Sequence, residues 1–174
     1  MKKIAVLSLF ALMTFAGYAA AQPTVVEIRA AEPSGPGAVL GTVTITATPY
    51  GTLFTPNLSG LTPGIHGFHV HEHPSCAPMD KDGKMVPSLG AGGHYDPIKA
   101  GKHLGPYGDG HLGDLPPLYV DAQGKSTLPV LAPRLKVTDV KGRSLRVHAG
   151  GDNFSDQPEP LGGGGARIGC GIVN

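Results

Sequence analysis

Seven of the eight histidines in this 174-residue chain fall between His66 and His111, and the eighth, His148, stands near the C-terminus. Imidazole is the commonest metal ligand among side chains, so this clustering points to metal binding. In a β-rich run, His69 and His71 project to one face while His66, Phe68 and Val70 project to the other. Two imidazoles about 7 Å apart on one face can converge on a single metal. Downstream, His94, His103, His111 and Asp114 offer three imidazoles and a carboxylate, the donor set of a closed, four-coordinate zinc site. The bland alternative is a His-rich loop that is merely polar and solvated.

The residues form an ordered series: Gly67-Phe68-His69-Val70-His71-Glu72, Gly92-Gly93-His94-Tyr95-Asp96-Pro97 and Gly101-Lys102-His103 come first. His111-Leu112-Gly113-Asp114-Leu115-Pro116, Val147-His148-Ala149-Gly150-Gly151-Asp152-Asn153 and Ala166-Arg167-Ile168-Gly169-Cys170-Gly171 complete it. Together these resemble the copper, zinc superoxide dismutase family in its exported bacterial form, over nearly all of the chain that follows the first 21 residues. The resemblance implies one copper per subunit on His69, His71, His94 and His148, and one zinc on His94, His103, His111 and Asp114. His94 is then shared, and its two deprotonated nitrogens require two flanking cations near neutral pH. Asp152, which on its own reads as a turn residue, is implied to accept hydrogen bonds from His69 and His103. Arg167, otherwise a solvated strand-end charge, is implied to dock the substrate.

The implied activity is disproportionation of superoxide to dioxygen and hydrogen peroxide, with His94 both ligand and proton carrier. His66 lies on the face away from His69 and His71, and its family counterpart makes hydrogen bonds rather than ligating. His73, beside Pro74, reads as a surface histidine. Lys81 and Lys84 are candidates for the rim of a cationic funnel. A homodimer is the expected assembly, with a monomer as the alternative.

What must position these side chains is a β-sheet. Twenty-seven glycines and 17 prolines are too many for a helical bundle, and they follow no collagen-like period. Over 38–48, Val39, Val43, Ile45 and Ala47 share odd positions while threonines take the even ones, which predicts a half-buried strand. Similar runs at 25–30, 52–58, 66–72, 118–122, 126–131, 144–149 and 166–173 complete an all-β, eight-stranded Greek-key sandwich or barrel. Two irregular stretches, 74–117 and 150–165, are long enough to be functional loops.

Lys2 and Lys3, an apolar run from residue 4 to about 16 and the small residues Ala19, Ala20 and Ala21 read as a signal peptide over 1–21. The domain then spans 22–174 and works in the periplasm. The apolar run is shorter than the roughly 18 to 20 residues of a spanning helix. Cys76 and Cys170, an even pair in an exported chain, predict one disulfide. A formal charge of +1 leaves no basic stripe for nucleic acid. His71-Glu72-His73-Pro74-Ser75 lacks the final histidine of a metalloprotease helix, and Gly124-Lys125-Ser126 lacks the leading glycine of a phosphate loop. A blue-copper site would need a free thiolate. The remaining rival is a copper or zinc storage protein, which the complete ligand set, Asp152 and Arg167 disfavour, since storage needs no anion-docking arginine.

Overall fold

Residues 22–174 are described by a computed structural model, and the expected signal peptide over 1–21 lies outside the described residues. Alternating Val, Ile and Thr build three long strands, β1 (Thr24–Glu32), β2 (Gly35–Thr48) and β3 (Gly51–Leu58), joined as antiparallel neighbours. The chain continues through β4 (Gly64–His66), β5 (Phe68–His71), β6 (Met79–Lys81), β7 (Lys84–Val86), β8 (Leu118–Val120) and β9 (Val130–Ala132). A one-turn helix, α1 (Val137–Val140), precedes β10 (Arg143–His148) and β11 (Arg167–Val173).

The main sheet runs β5-β10-β11-β1-β2-β3-β9, with β4 paired to β8 alongside. From β3 the chain crosses to the far edge rather than to a neighbour, which is Greek-key order in a curled antiparallel sheet. Counting β4 and β5 as one interrupted strand, and leaving aside the small β6–β7 hairpin, the expected eight strands are present.

Four features differ from the sequence expectation, each for a local reason. The 66–72 strand breaks at Gly67, whose N–H donates to Gly150 O (2.8 Å) and whose carbonyl accepts from His148 N–H (2.9 Å). A Cβ there would sit 3.3 Å from Gly151 O and from His69 Cε1, so any side chain would push the two segments apart by a few tenths of an ångström. The 126–131 strand contracts to β9, whose pairing with β3 stops at Val130 because Pro129 lacks the N–H a ladder needs. Ser126 keeps only an isolated bridge to Leu58. In β2, Val43 and Ile45 are buried, but Val39 is half exposed because the β1–β2 register shifts beside Arg29. The fourth difference is the β6–β7 hairpin itself, inside a stretch expected to be irregular.

Ile28, Val43, Ile45, Phe54, Phe68, Val70, Leu145 and Val147 fill the interior. Phe54 meets Phe68 edge to face at 5.7 Å, worth about 0.5–1.5 kcal/mol beyond area burial. This core decides where chemistry can occur. With Phe68, Val70, Leu145 and Val147 turned inward, strict alternation turns His69, His71, Arg146 and His148 to the outer face, where the long loops cover them. The disulfide Cys76–Cys170 ties the first of those loops to β11.

Candidate metal centre

Strands β5 and β10 supply the floor of the site. Their register sets His69 opposite Arg146 and His71 opposite Ser144, leaving His148 just beyond. The 74–117 loop folds back along β5: Tyr95 N–H donates to Val70 O (2.9 Å), Val70 N–H to Gly113 O (2.9 Å) and Gly113 N–H to Tyr95 O (2.8 Å). Isolated bridges then set His94 beside His71 and Asp114 beside His69. Residues far apart in sequence thereby meet over four strand positions.

Two groups of donors result. His69, His71, His94 and His148 form one, and His94, His103, His111 and Asp114 the other, with the donor atoms of each within 4.8 Å of one another. All seven residues are buried. His69, His103 and Asp152 also converge, but two short hydrogen bonds account for that proximity, both to Asp152: His69 Nε2 at 2.7 Å and His103 Nε2 at 2.7 Å.

In the first group, one nitrogen of each ring is engaged and the other is left over. His69 Nε2 faces Asp152, His71 Nδ1 faces Gly92 O (3.0 Å), His94 Nδ1 faces Asp114 Oδ1 (2.9 Å) and His148 Nδ1 faces Gly165 O (3.3 Å). Because carbonyls and carboxylates only accept, each engaged nitrogen carries the proton and the other presents a lone pair, and at His94 the Nδ1 proton must leave when a cation fills the second set. Those others, His69 Nδ1 and Nε2 of His71, His94 and His148, are buried without a partner. In the second group, His103 Nδ1 lies 3.0 Å from Asp114 Oδ2 and His111 Nδ1 3.4 Å from Asp114 Oδ1, close ion-pair distances without well-aligned hydrogen bonds. Buried lone pairs converging without donors are what a cation satisfies. Four imidazoles suit copper, and three imidazoles with a carboxylate suit zinc.

Electrostatics act in the same direction. Burial, then the charges of neighbouring imidazoles, pushes His94 down to about 3 and His148 down to about 2. Burial also lowers His69 and, more strongly, His71. These rings stay neutral, as metal ligands must. His103 is the exception: burial opposes its charge, but the carboxylates of Asp114 and Asp152 hold its proton up to about 9. Burial would raise Asp114 and Asp152, yet their histidine hydrogen bonds keep both ionised well below the usual carboxylate range.

The consequence for the metal-stripped protein follows from the signs. His94 and His148 have folded values below the unfolded 6.5, so the unfolded chain binds more protons as pH falls and stability drops. Asp114 and Asp152 add a loss as pH falls further, through the acid range. His103 contributes the opposite term, present below 6.5 and lost as pH rises through about 9. Urea unfolding of the metal-stripped chain should therefore show the midpoint falling steadily from pH 7 to pH 4; a flat profile would contradict these assignments.

Arg167 stands on β11, half-buried, at an open pocket of about 440 Å³ lined also by His148, Glu159, Leu161 and Gly163 to Gly165. Lys81 and Lys84 face each other across the exposed β6–β7 hairpin and are not part of that lining. His66 is buried between His148 O (2.7 Å) and Thr62 O (2.8 Å), and it joins neither donor group. His73 is exposed and joins neither. Two orienting acceptors, Gly92 O and Gly165 O, were invisible in sequence because they are backbone groups. Asp156, which accepts from His103 N–H at 2.9 Å and from Leu161 N–H at 3.1 Å, was likewise not singled out. Its place in a Ser-Asp-Gln-Pro turn was the available hint.

Residues 39–173 match the family described as copper/zinc superoxide dismutase (SODC). The chain belongs to the copper/zinc superoxide dismutase family. Within that family it is 59% identical over 174 residues to Superoxide dismutase [Cu-Zn] 1 of Salmonella typhimurium, covering 98% of each chain. Among solved structures, the Cu/Zn superoxide dismutase from Brucella abortus superposes with a TM-score of 0.87 at 58% identity, over 88% of this chain and 100% of that one. The monomeric copper, zinc superoxide dismutase from Salmonella enterica superposes with a TM-score of 0.80 at 52% identity, over 88% and 100%. The family's two metals agree with the two donor sets built above.

Proposed function

We propose that this protein disproportionates superoxide, with copper held by His69, His71, His94 and His148 and zinc by His94, His103, His111 and Asp114. The observation that carries the reading is the ring of His94, whose Nδ1 faces Asp114 while Nε2 is an orphaned lone pair on the opposite edge. Copper supplies a one-electron couple and zinc a fixed positive charge. Two superoxide anions and two protons become one dioxygen and one hydrogen peroxide.

The chain's own groups divide the remaining work. Arg167 docks the anion at the mouth of the pocket it shares with His148. Asp152 accepts from both His69 and His103, locking the orientation of one ring in each set. His94 Nε2 is the atom that holds a proton in one half of the cycle and delivers it to the reduced oxygen species in the other. The test is a dismutation assay on protein loaded with both metals. Stoichiometric binding without turnover would leave storage as the function.

We extend the reading to a signal peptide over 1–21, a working domain over 22–174 and protection of the cell envelope from the periplasm. Among the described residues no helix is long and apolar enough to cross a membrane. A homodimer is the expected assembly; sedimentation equilibrium distinguishes it from a monomer, the state named for the Salmonella enterica protein. For Lys81 and Lys84 we infer a steering role from their exposed charge. Replacing both by glutamine should lower kcat/KM about twofold at low salt and flatten its salt dependence. An unchanged salt dependence would reject that role.

A further inference from the structure

Arg146 is the largest fully buried side chain among the described residues, and nothing in the reaction above uses it. Alternation along β10 puts it on the same outer face as His148, opposite Leu145 and Val147, which fill the core. Its cross-strand neighbours are His69 on β5 and Cys170 on β11, so it lies between the imidazole cluster and the disulfide. Its Nη2 donates to the carbonyl of Ser88, in the loop that the disulfide tethers. Nε and Nη1 are buried with no partner. Among the described residues it forms no ion pair with any carboxylate.

An uncompensated guanidinium in an interior is costly, and an apolar chain of similar volume would fill the same space with no charge to desolvate. A guanidinium keeps its proton in a protein interior, so Arg146 is cationic at neutral pH. It sits directly across from His69 and two positions before His148 on the same strand face. A charge so placed acts through low dielectric and is screened by salt far less than an exposed lysine.

We propose that Arg146 is a positioning residue for the dismutation reaction: an interior cation behind the imidazole cluster which, together with Arg167 at the pocket, draws anions to the open side of the copper position. This rests on the reading of the site given above. It also holds the disulfide-tethered loop at Ser88, so charge and loop position are separable contributions. Arg146→Met removes both, Arg146→Gln removes the charge and keeps a donor for Ser88, and Arg146→Lys keeps the charge.

The probe is azide, a small anion titrated into the metal-loaded proteins at low and high salt while the copper absorption is followed. Both neutral variants should bind azide about three- to tenfold more weakly, at both salt concentrations, and Arg146→Lys should stay within about twofold of wild type. If Arg146→Met fails to fold, Arg146→Gln carries the same test. Wild-type azide affinity in a folded neutral variant overturns the proposal, as does a loss confined to low salt or one that Arg146→Lys fails to restore. Wild-type protein that takes up both metals yet neither binds azide nor turns over superoxide would refute the reading of the site instead.

Discussion

Replacing His148 with alanine is expected to abolish copper binding and leave zinc in place. His148 Nε2 is one of four orphaned imidazole nitrogens on the β5–β10 face, and the His94, His103, His111 and Asp114 set does not include it. Loss of a partner that merely orients a ligand already costs about 10- to 100-fold in metal affinity, so loss of a ligand should cost at least that. Elemental analysis after dialysis against a mild chelator should find zinc near one equivalent and copper nearly absent. Dismutation should fall by more than about a hundredfold in the same preparation. Retained activity would mean that the redox metal sits elsewhere, and simultaneous loss of zinc would mean that the two sets do not bind independently.

The second large effect is on stability. Opening the Cys76–Cys170 bond by Cys76→Ser releases a tie between residues 94 positions apart. Chain-entropy reasoning gives a loss of about 4 to 5 kcal/mol for a loop of that length. In a domain of this size that corresponds to a fall in Tm on the order of 10 to 20 °C. Cys76 and Cys170 are both buried, so the serine hydroxyl adds a desolvation cost in the same direction. Calorimetry of the metal-loaded protein with and without the substitution measures this. A shift of only a few degrees would show that the loop is held mainly by its other contacts, such as Arg146 to Ser88 and Ser144 Oγ to His73 O (2.9 Å).

Much of the site was legible because metal ligation restricts residue type so strongly. His69 and His71 were assigned to one face by strand parity, and the structure agrees because Phe68 and Val70 occupy the core. The group His94, His103, His111 and Asp114 stood out as a zinc-like donor set before any fold was known, and its members converge. His66 shows the same logic in reverse: the opposite parity and two carbonyl partners keep it out of both groups. The strand expected over 126–131 pairs only over Val130–Ala132, since Pro129, next in line, has no N–H to give to the ladder. Lys81 and Lys84 were placed in a loop, and they instead face each other across a hairpin that carries them on an exposed surface.

The order of the motifs sufficed to raise the family resemblance and to nominate the two metals and the donor residues, since residue types and short spacings are properties of the chain. Nothing in the sequence marks Arg146 beyond its i, i+2 relation to His148. That it is wholly buried, with the carbonyl of Ser88 as its one acceptor, depends on a loop some sixty residues away closing over it. The same holds for which nitrogen of each imidazole is free: Gly92 O, Gly165 O and Asp152 decide it, and each arrives from a different loop. Burial and tautomer are set by what packs against a residue in space, and long-range packing has no counterpart in local sequence.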